Sequence, residues 1–253
     1  MYNKMTEKKE REGFFGETAR TVFYAVIIAL VFRSFLFQPF SIPSESMLPN
    51  LQTGDYLLVS KYSYGYSHHS LPLSPKLFSG RIMGSPVERG DVVVFRLPRD
   101  PGVYYIKRII GLPGDTVQMK GGRLYLNGTA VKREKVENYV LPDEQGNQRN
   151  FEQYRETLPN GKQYMTLDMG YRPSDNTKIF HVPAGTYFAL GDNRDNSIDS
   201  RWPSSVGVGL VPDENVIGLA EFITFSVDSH SQWWEVWNWF SAARFDRFFN
   251  TIH

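Results

Sequence analysis

Cysteine is absent from the 253 residues. That absence excludes disulfide bonds, a thiol nucleophile and thiolate metal ligands. No sign of charge dominates: 28 basic residues stand against 27 acidic ones, so nucleic acid is not an expected partner. Histidine is scarce, with five copies and none inside a polar motif, which leaves a serine–histidine triad unsupported. Internal repeats and low-complexity tracts are missing, and only one long apolar run occurs, near the N-terminus. What the chain does have is aromatic content of 15%, with 15 prolines and 21 glycines. Such a composition predicts many turns and short strands, in a chain long enough to bury a core.

Val22–Phe32 (VFYAVIIALVF) is apolar throughout; Arg33 interrupts the run and Ser34–Phe37 resumes it. As a helix, residues 21–37 reach roughly 25 Å at about 1.5 Å per residue. That length is near the short end of a membrane span, with Arg33 snorkelling toward an interface. No small-x-small site follows, and Pro39 and Pro43 crowd the region. An uncleaved anchor is therefore expected, in preference to a removable leader or a buried soluble helix. Lys4, Lys8, Lys9, Arg11 and Arg20 precede the run, and no Lys or Arg occurs from Gln38 to Ser60. The positive-inside rule then places residues 1–20 in the cytoplasm and everything after Phe37 outside.

Beyond the anchor the pattern turns to strands. Asp55–Ser60, Asp91–Arg96 and Tyr104–Ile110 are short apolar runs. Arg123–Val131 reads as a hairpin with Asn127-Gly128 at its tip, where a type I′ turn requires positive φ twice. Asn160-Gly161 marks a second hairpin, and Phe180–Gly191 a strand, turn and strand. The fold class expected is mainly β: an antiparallel β-sheet domain with an N-terminal transmembrane helix and a C-terminal aromatic helix. In that tail, Trp233, Trp234, Trp237, Phe240 and Phe248 share a helical face, with Arg244 among them and Trp239 off it. The face would pack on the β core or, the reading favoured, lie in the membrane interface.

Three polar clusters carry candidate chemistry. Pro43-Ser44-Glu45-Ser46-Met47-Leu48-Pro49 lies just past the anchor, Lys107-Arg108 interrupts an apolar strand, and Gly191–Arg201 (GDNRDNSIDSR) follows another strand. Each has a plain structural reading as a turn, a solvent-facing lysine or a polar loop. A calcium loop at Asp195, Ser197 and Asp199 fails, because Ser200 stands where glycine is needed and Val206 where an acid is needed. His68-His69 would point to opposite faces of a strand, with no third ligand nearby, so no metal site is expected there. A serine needs a base, and a lysine becomes one when burial disfavours its charge. Tyr105-Ile106 and Ile109-Ile110 surround Lys107 with apolar residues. A Ser–Lys site outside the membrane is as far as the residues lead.

At these residues the chain resembles bacterial type I signal peptidases, also called leader peptidases. Ser44-x-Ser46-Met47-x-Pro49, Lys107-Arg108-x-x-Gly111-x-Pro113-Gly114-Asp115 and Gly191-Asp-Asn-Arg-Asp-Asn-Ser197-x-Asp199-Ser-Arg201 are similar to the family's signature boxes, in order and behind an anchor. Gly54-Asp55 with Lys61, and Arg89–Phe95, match two further segments. The likeness covers most of Phe40–Asp115 and Thr186–Gly218; Glu45 and Asn50 depart from it, where glycine and threonine are frequent.

The resemblance implies a membrane-bound serine endopeptidase that removes signal peptides from exported preproteins after small-x-small sites. Ser46 would be the acylated nucleophile and Lys107 the general base. The Ser44 hydroxyl and Ser46 N–H would form the oxyanion hole. Ser197 would orient the lysine amine, with Asp199 and Arg201 as a supporting pair. Phe40, Ile42, Met47, Leu51, Tyr105 and Ile106 would shape pockets for alanine-sized side chains. Substrate would add as a strand between the segments before Ser46 and before Lys107. By position, the catalytic β domain would comprise residues 38–115 and 186–230, with a smaller β domain inserted at 116–185 and the aromatic helix at 231–253. No cofactor or metal is implied; membrane lipid and the secretion translocon are the further partners to expect, at the bacterial plasma membrane. A soluble self-cleaving repressor-type peptidase lacks both anchor and third box, and a degenerate binding module would have lost the serine or the lysine.

Overall fold

The computed structural model describes residues 2–71, 73–142, 147–227 and 242–252, with side chains described from Gly16 onward. It opens with one helix, α1, Tyr2–Phe35. Within α1, Gly16–Phe35 forms the one described helix long and apolar enough to cross a membrane, with a mean hydropathy of 1.5. This apolar stretch starts and ends earlier than the expected span of 21–37, and residues 2–20 are already helical. Phe37 instead begins a strand, because Pro39 disfavours helical torsions at Gln38 and Phe37 takes a register place opposite Ser60. The helix end is tied down: Tyr66 Oη donates to Phe35 O at 2.8 Å and Lys61 N to Leu36 O at 2.9 Å.

Among the described residues, fifteen strands follow. They are β1 (Phe37–Ser41), β2 (Asp55–Ser60), β3 (Val92–Leu97), β4 (Asp100–Gly111), β5 (Thr116–Lys120), β6 (Arg123–Leu126), β7 (Thr129–Ala130) and β8 (Lys132–Lys135). The rest are β9 (Tyr139–Pro142), β10 (Gln148–Thr157), β11 (Gln163–Asp168), β12 (Phe180–His181), β13 (Thr186–Leu190), β14 (Val211–Pro212) and β15 (Val216–Ser226). A seven-stranded antiparallel sheet runs in the order β1-β2-β15-β3-β4-β13-β14. Its central strand explains its own sequence: Val92 and Val94 enter one core with Leu57, Val59 and Ile217, while Val93, Phe95 and Leu97 enter a second with Ile109 and Val216. A strand covered on both faces can be apolar at every position.

Residues 116–185 lie in sequence between β4 and β13 and form two small sheets: β12-β5-β6-β7, and β11-β10-β8 with β9 beside β10. They share a core with the main sheet, where Val117, Leu124 and Tyr164 pack with Ile110, Phe188 and Leu190. Asn127 and Gly128 take φ of 51° and 79°, the turn their sequence demands.

The tail differs from expectation. Trp233–Phe240 lie outside the described residues, but 243–252 are not an α-helix; they line the edge of β15 that β3 leaves free beyond Leu219. Ile223 N donates to Asn250 O at 2.9 Å, Phe249 N to Ile223 O at 2.7 Å and Ile252 N to Glu221 O at 2.9 Å. Backbone groups on an open edge need such partners. Phe248 packs on Phe225, with ring centroids 5.1 Å apart, and so joins the β domain instead of a helical aromatic face. Arg244 donates to Gln52 Oε1 and Thr53 O, both at 2.7 Å.

Arg247 completes this clasp by gripping the fully buried Asp55 at 3.0 and 2.6 Å. Asp55 also accepts from Gln52 N and Ser226 Oγ, each at 2.7 Å. Removing one partner of a buried ion pair costs about 3–5 kcal/mol. Asp55→Ala is therefore expected to lower the thermal midpoint of the purified chain by roughly 6–20 °C, at about 2–4 °C per kcal/mol for this size. An unchanged midpoint would show that the clasp contributes nothing to stability.

Candidate active site

Ser46 lies in a short 3-10 turn, Glu45–Met47, that leaves β1 and packs on the first core. Met47 is fully buried, so the turn is held from below while Ser46 faces the site. The Asp/Asn block holds it from the side. Asn193 N donates to Ser46 O, and Asn193 Nδ2 to Glu45 O, both at 3.1 Å.

Lys107 approaches from β4. Its Nζ donates to Ser46 Oγ at 2.6 Å and to Ile106 O at 2.8 Å. The side chain is buried, and burial lowers the amine from 10.5 to about 8; Asp199 and Asp192 pull it back up, while Arg201 pushes it down. The amine thus loses its proton within reach of neutral pH, and its lone pair then faces the serine hydroxyl. Ser44 Oγ lies 3.4 Å from Ser46 Oγ, exposed at the mouth.

Asp199 and Arg201 form a buried bidentate pair, with both contacts at 2.9 Å. Burial raises the Asp199 carboxyl most strongly, but the Arg201 charge and the hydrogen bonds from Arg201, the Gly191 N–H and Ser197 together hold the group below its ordinary value. Ser197 is brought to the site but does not bond the lysine: the amine's second bond goes to Ile106 O, and the serine hydroxyl lies buried beside Asp199. Gly191 makes this convergence feasible. A Cβ there would lie 2.2 Å from Ser197 Oγ and 2.6 Å from Ser46 O.

The expected pocket residues divide. Ile42, Met47, Leu51 and Ile106 share one core cluster, with Phe40 packed on it. Met47 and Leu51 are wholly enclosed within it. Tyr105 belongs to the second core, beside Phe95. Tyr104, not among the expected pocket residues, meets Phe40 edge-on at 5.1 Å, linking β4 to β1. His68 and His69 stack at 3.8 Å in a 3-10 turn instead of pointing apart as they would in a strand.

With this geometry in view, the model of the family "Signal peptidase, peptidase S26" matches residues 15–225. Signal peptidase I of Rickettsia prowazekii is 40% identical over 250 residues, covering 91% of each chain. That of Rickettsia typhi is 39% identical over 271 aligned residues, covering 99% of this chain and 97% of the relative. The Rickettsia canadensis protein is 41% identical over 250 residues and 91% of each chain. The chain belongs to the signal peptidase family. It is a serine endopeptidase of that family, acting in the removal of signal peptides.

Within this signal peptidase the sequence reading left several supports without a role. Arg108 and Asp192, each 1% exposed, pair through contacts of 2.9 and 2.8 Å and join the lysine strand to the Asp/Asn block. An arginine inside an apolar strand needs a buried acid, and that signal was available. Asn50 Nδ2 donates to Asp192 Oδ2 at 2.7 Å and to Met165 O at 2.8 Å. Glu45 accepts Arg149 at 2.6 and 3.1 Å. Both departures from the family pattern therefore have partners in the inserted strands β10 and β11, which no local signal could have named.

Proposed function

We propose that this signal peptidase cuts preproteins by Ser–Lys acyl-enzyme catalysis, after small-x-small sequences with alanine preferred at both small positions. The observation that carries the reading is the 2.6 Å contact between Ser46 Oγ and the buried Lys107 amine. Neutral Lys107 takes the Ser46 proton as Oγ attacks the scissile carbonyl carbon. The oxyanion is received by the Ser46 N–H and the Ser44 hydroxyl. The lysine then gives its proton to the leaving amine, and an ester to Ser46 remains. Water, deprotonated by Lys107, attacks that ester; Ser46 leaves and regains the proton.

The substrate enters as an added strand between β1 and β4. Support comes from the sheet order: β1 is an edge strand, and β13 pairs with β4 only from Arg108 to Gly111. The substrate-facing edge of β4 up to Lys107 is left to the cleft. Phe40, Ile42 and Ile106 cluster with Met47 and Leu51 in the first core, and in this reading their bulk limits the pocket to small side chains. Ser46 is eleven residues past the helix end at Phe35 (46 − 35), at most roughly 36–40 Å of extended chain, so cleavage takes place close to the bilayer. The basic N-terminal residues place that end in the cytoplasm and the β domain outside it. Membrane lipid and the translocon are its expected surroundings there.

Purified full-length protein in detergent, given a presecretory substrate, should yield products whose masses place the cut after Ala-x-Ala. Leucine in the residue before the cut should reduce kcat/KM roughly 10- to 100-fold, the effect of about 1–3 kcal/mol of overpacking. Equal cleavage of both substrates would refute the pocket assignment.

A further inference from the structure

Strands β10 and β11 interrupt the catalytic sheet in sequence, yet they bring a buried charge to the site. Glu156 on β10 is 1% exposed and grips Arg194 of the Asp/Asn block at 3.0 and 2.6 Å. Tyr164 on β11 completes the triangle: its hydroxyl donates to Glu156 Oε2 at 2.8 Å and accepts from Arg194 at 3.2 Å. Nothing in the catalytic scheme above uses this group. Stability alone is a weak reason for it, because a buried ion pair gains little over packed apolar side chains of like volume.

Its place in the chain supplies a stronger reason. Three consecutive residues are each fastened to a different element. Asp192 is fastened by Arg108, next to the lysine, and Asn193 by the backbone of the serine turn. Arg194 is fastened by Glu156, and its own carbonyl accepts from Arg201, the partner of Asp199. β11 adds a backbone bond from Leu167 N to Asp192 O at 3.0 Å, and Leu167 packs with Phe151 on Leu48, two residues past the nucleophile.

We propose that Glu156 is a positioning residue for the peptidase reaction: through Arg194 it fixes the Asp/Asn block against the serine turn and the lysine. The inserted strands thereby serve as a rigid back wall for the dyad. This inference rests on the Ser–Lys reading above. Without Glu156 the Arg194 guanidinium is left buried with a tyrosine hydroxyl, and the block can shift to hydrate it. Asn193 then loosens its hold on the Ser46 backbone, which bears both the nucleophile and an oxyanion donor. A displacement of about 1 Å at such a site can cost roughly 100-fold in rate.

The experiment is steady-state cleavage of a preprotein by full-length Glu156→Gln, alongside a double variant, Glu156→Leu with Arg194→Leu. Glu156→Gln is expected to lower kcat about 10- to 100-fold with KM within about twofold, a loss of geometry in the transition state and not of substrate binding. Its thermal midpoint should stay above the assay temperature. The double variant removes both charges and should regain the midpoint but not kcat. Unchanged kcat in Glu156→Gln overturns the proposal, as does a double variant that regains midpoint and kcat together. If the double variant does not fold, the kcat-against-KM division in Glu156→Gln decides. Ser46→Ala separates the two levels: full activity there refutes the dyad, whereas an inactive Ser46→Ala beside a fully active Glu156→Gln refutes only the role of Glu156.

Discussion

Ser46→Ala and Lys107→Ala should each reduce preprotein cleavage by roughly 10⁴-fold or more, the scale of losses when a member of a covalent catalytic unit is removed. In the proposed mechanism Ser46→Ala deletes the oxygen that accepts the acyl group. Lys107→Ala leaves the hydroxyl intact but with no base: among the described residues, Ser46 Oγ has the lysine amine at 2.6 Å and otherwise the Ser44 hydroxyl at 3.4 Å. Because the proposed mechanism has both residues act in one step, the double variant should be no slower than either single one. Both proteins should keep the wild-type thermal midpoint within a few degrees. Lys107 is buried without a direct carboxylate contact, so its removal relieves a desolvation cost and does not break an ion pair. Clear residual activity of Lys107→Ala at neutral pH would rule out the dyad.

The second large effect is on pH. In the proposed mechanism Lys107 works as the neutral amine, and burial has brought its proton loss from 10.5 down to about 8. Below that value the protonated fraction grows, so kcat/KM should fall about tenfold per pH unit and stand roughly 100-fold lower at pH 6 than on the alkaline plateau. The neighbours set a further test. Asp199 and Asp192 raise the amine and Arg201 lowers it. Asp199→Asn removes one raising charge and leaves Arg201 without its counter-ion, and both changes favour the neutral amine. The acid limb should therefore move to lower pH in Asp199→Asn, even as the plateau rate drops. An acid limb near 10 in the wild type would mean that the base is not buried.

Residues identified by local chemistry and those identified by contact fall into two sets. An apolar run between basic residues and prolines marks an anchor, because bilayer length and charge asymmetry act on a contiguous segment. Asn127-Gly128 marks a hairpin tip, because the turn's positive φ is a property of those two residues. Lys107 inside YYIKRII announced a buried amine, and the three boxes together announced the family. The helix boundary was less legible. Phe37 is as apolar as the residues before it, and only pairing with β2 shows that it has left the helix.

Tertiary structure alone decided what stands behind the boxes. Glu45 finds Arg149 104 residues away, and Asn50 finds Met165 115 residues away. Met47 and Leu51 look like pocket residues in the chain but are sealed inside the core. The tail looks helical through Phe248, yet residues 243–252 lie along β15, where an open strand edge and a buried Asp55 needed partners. Periodicity and turn torsions are set within a few neighbouring residues and can be read there. Satisfying a buried charge or a free strand edge depends on which distant segment folding brings alongside, and that is set only when the whole chain packs.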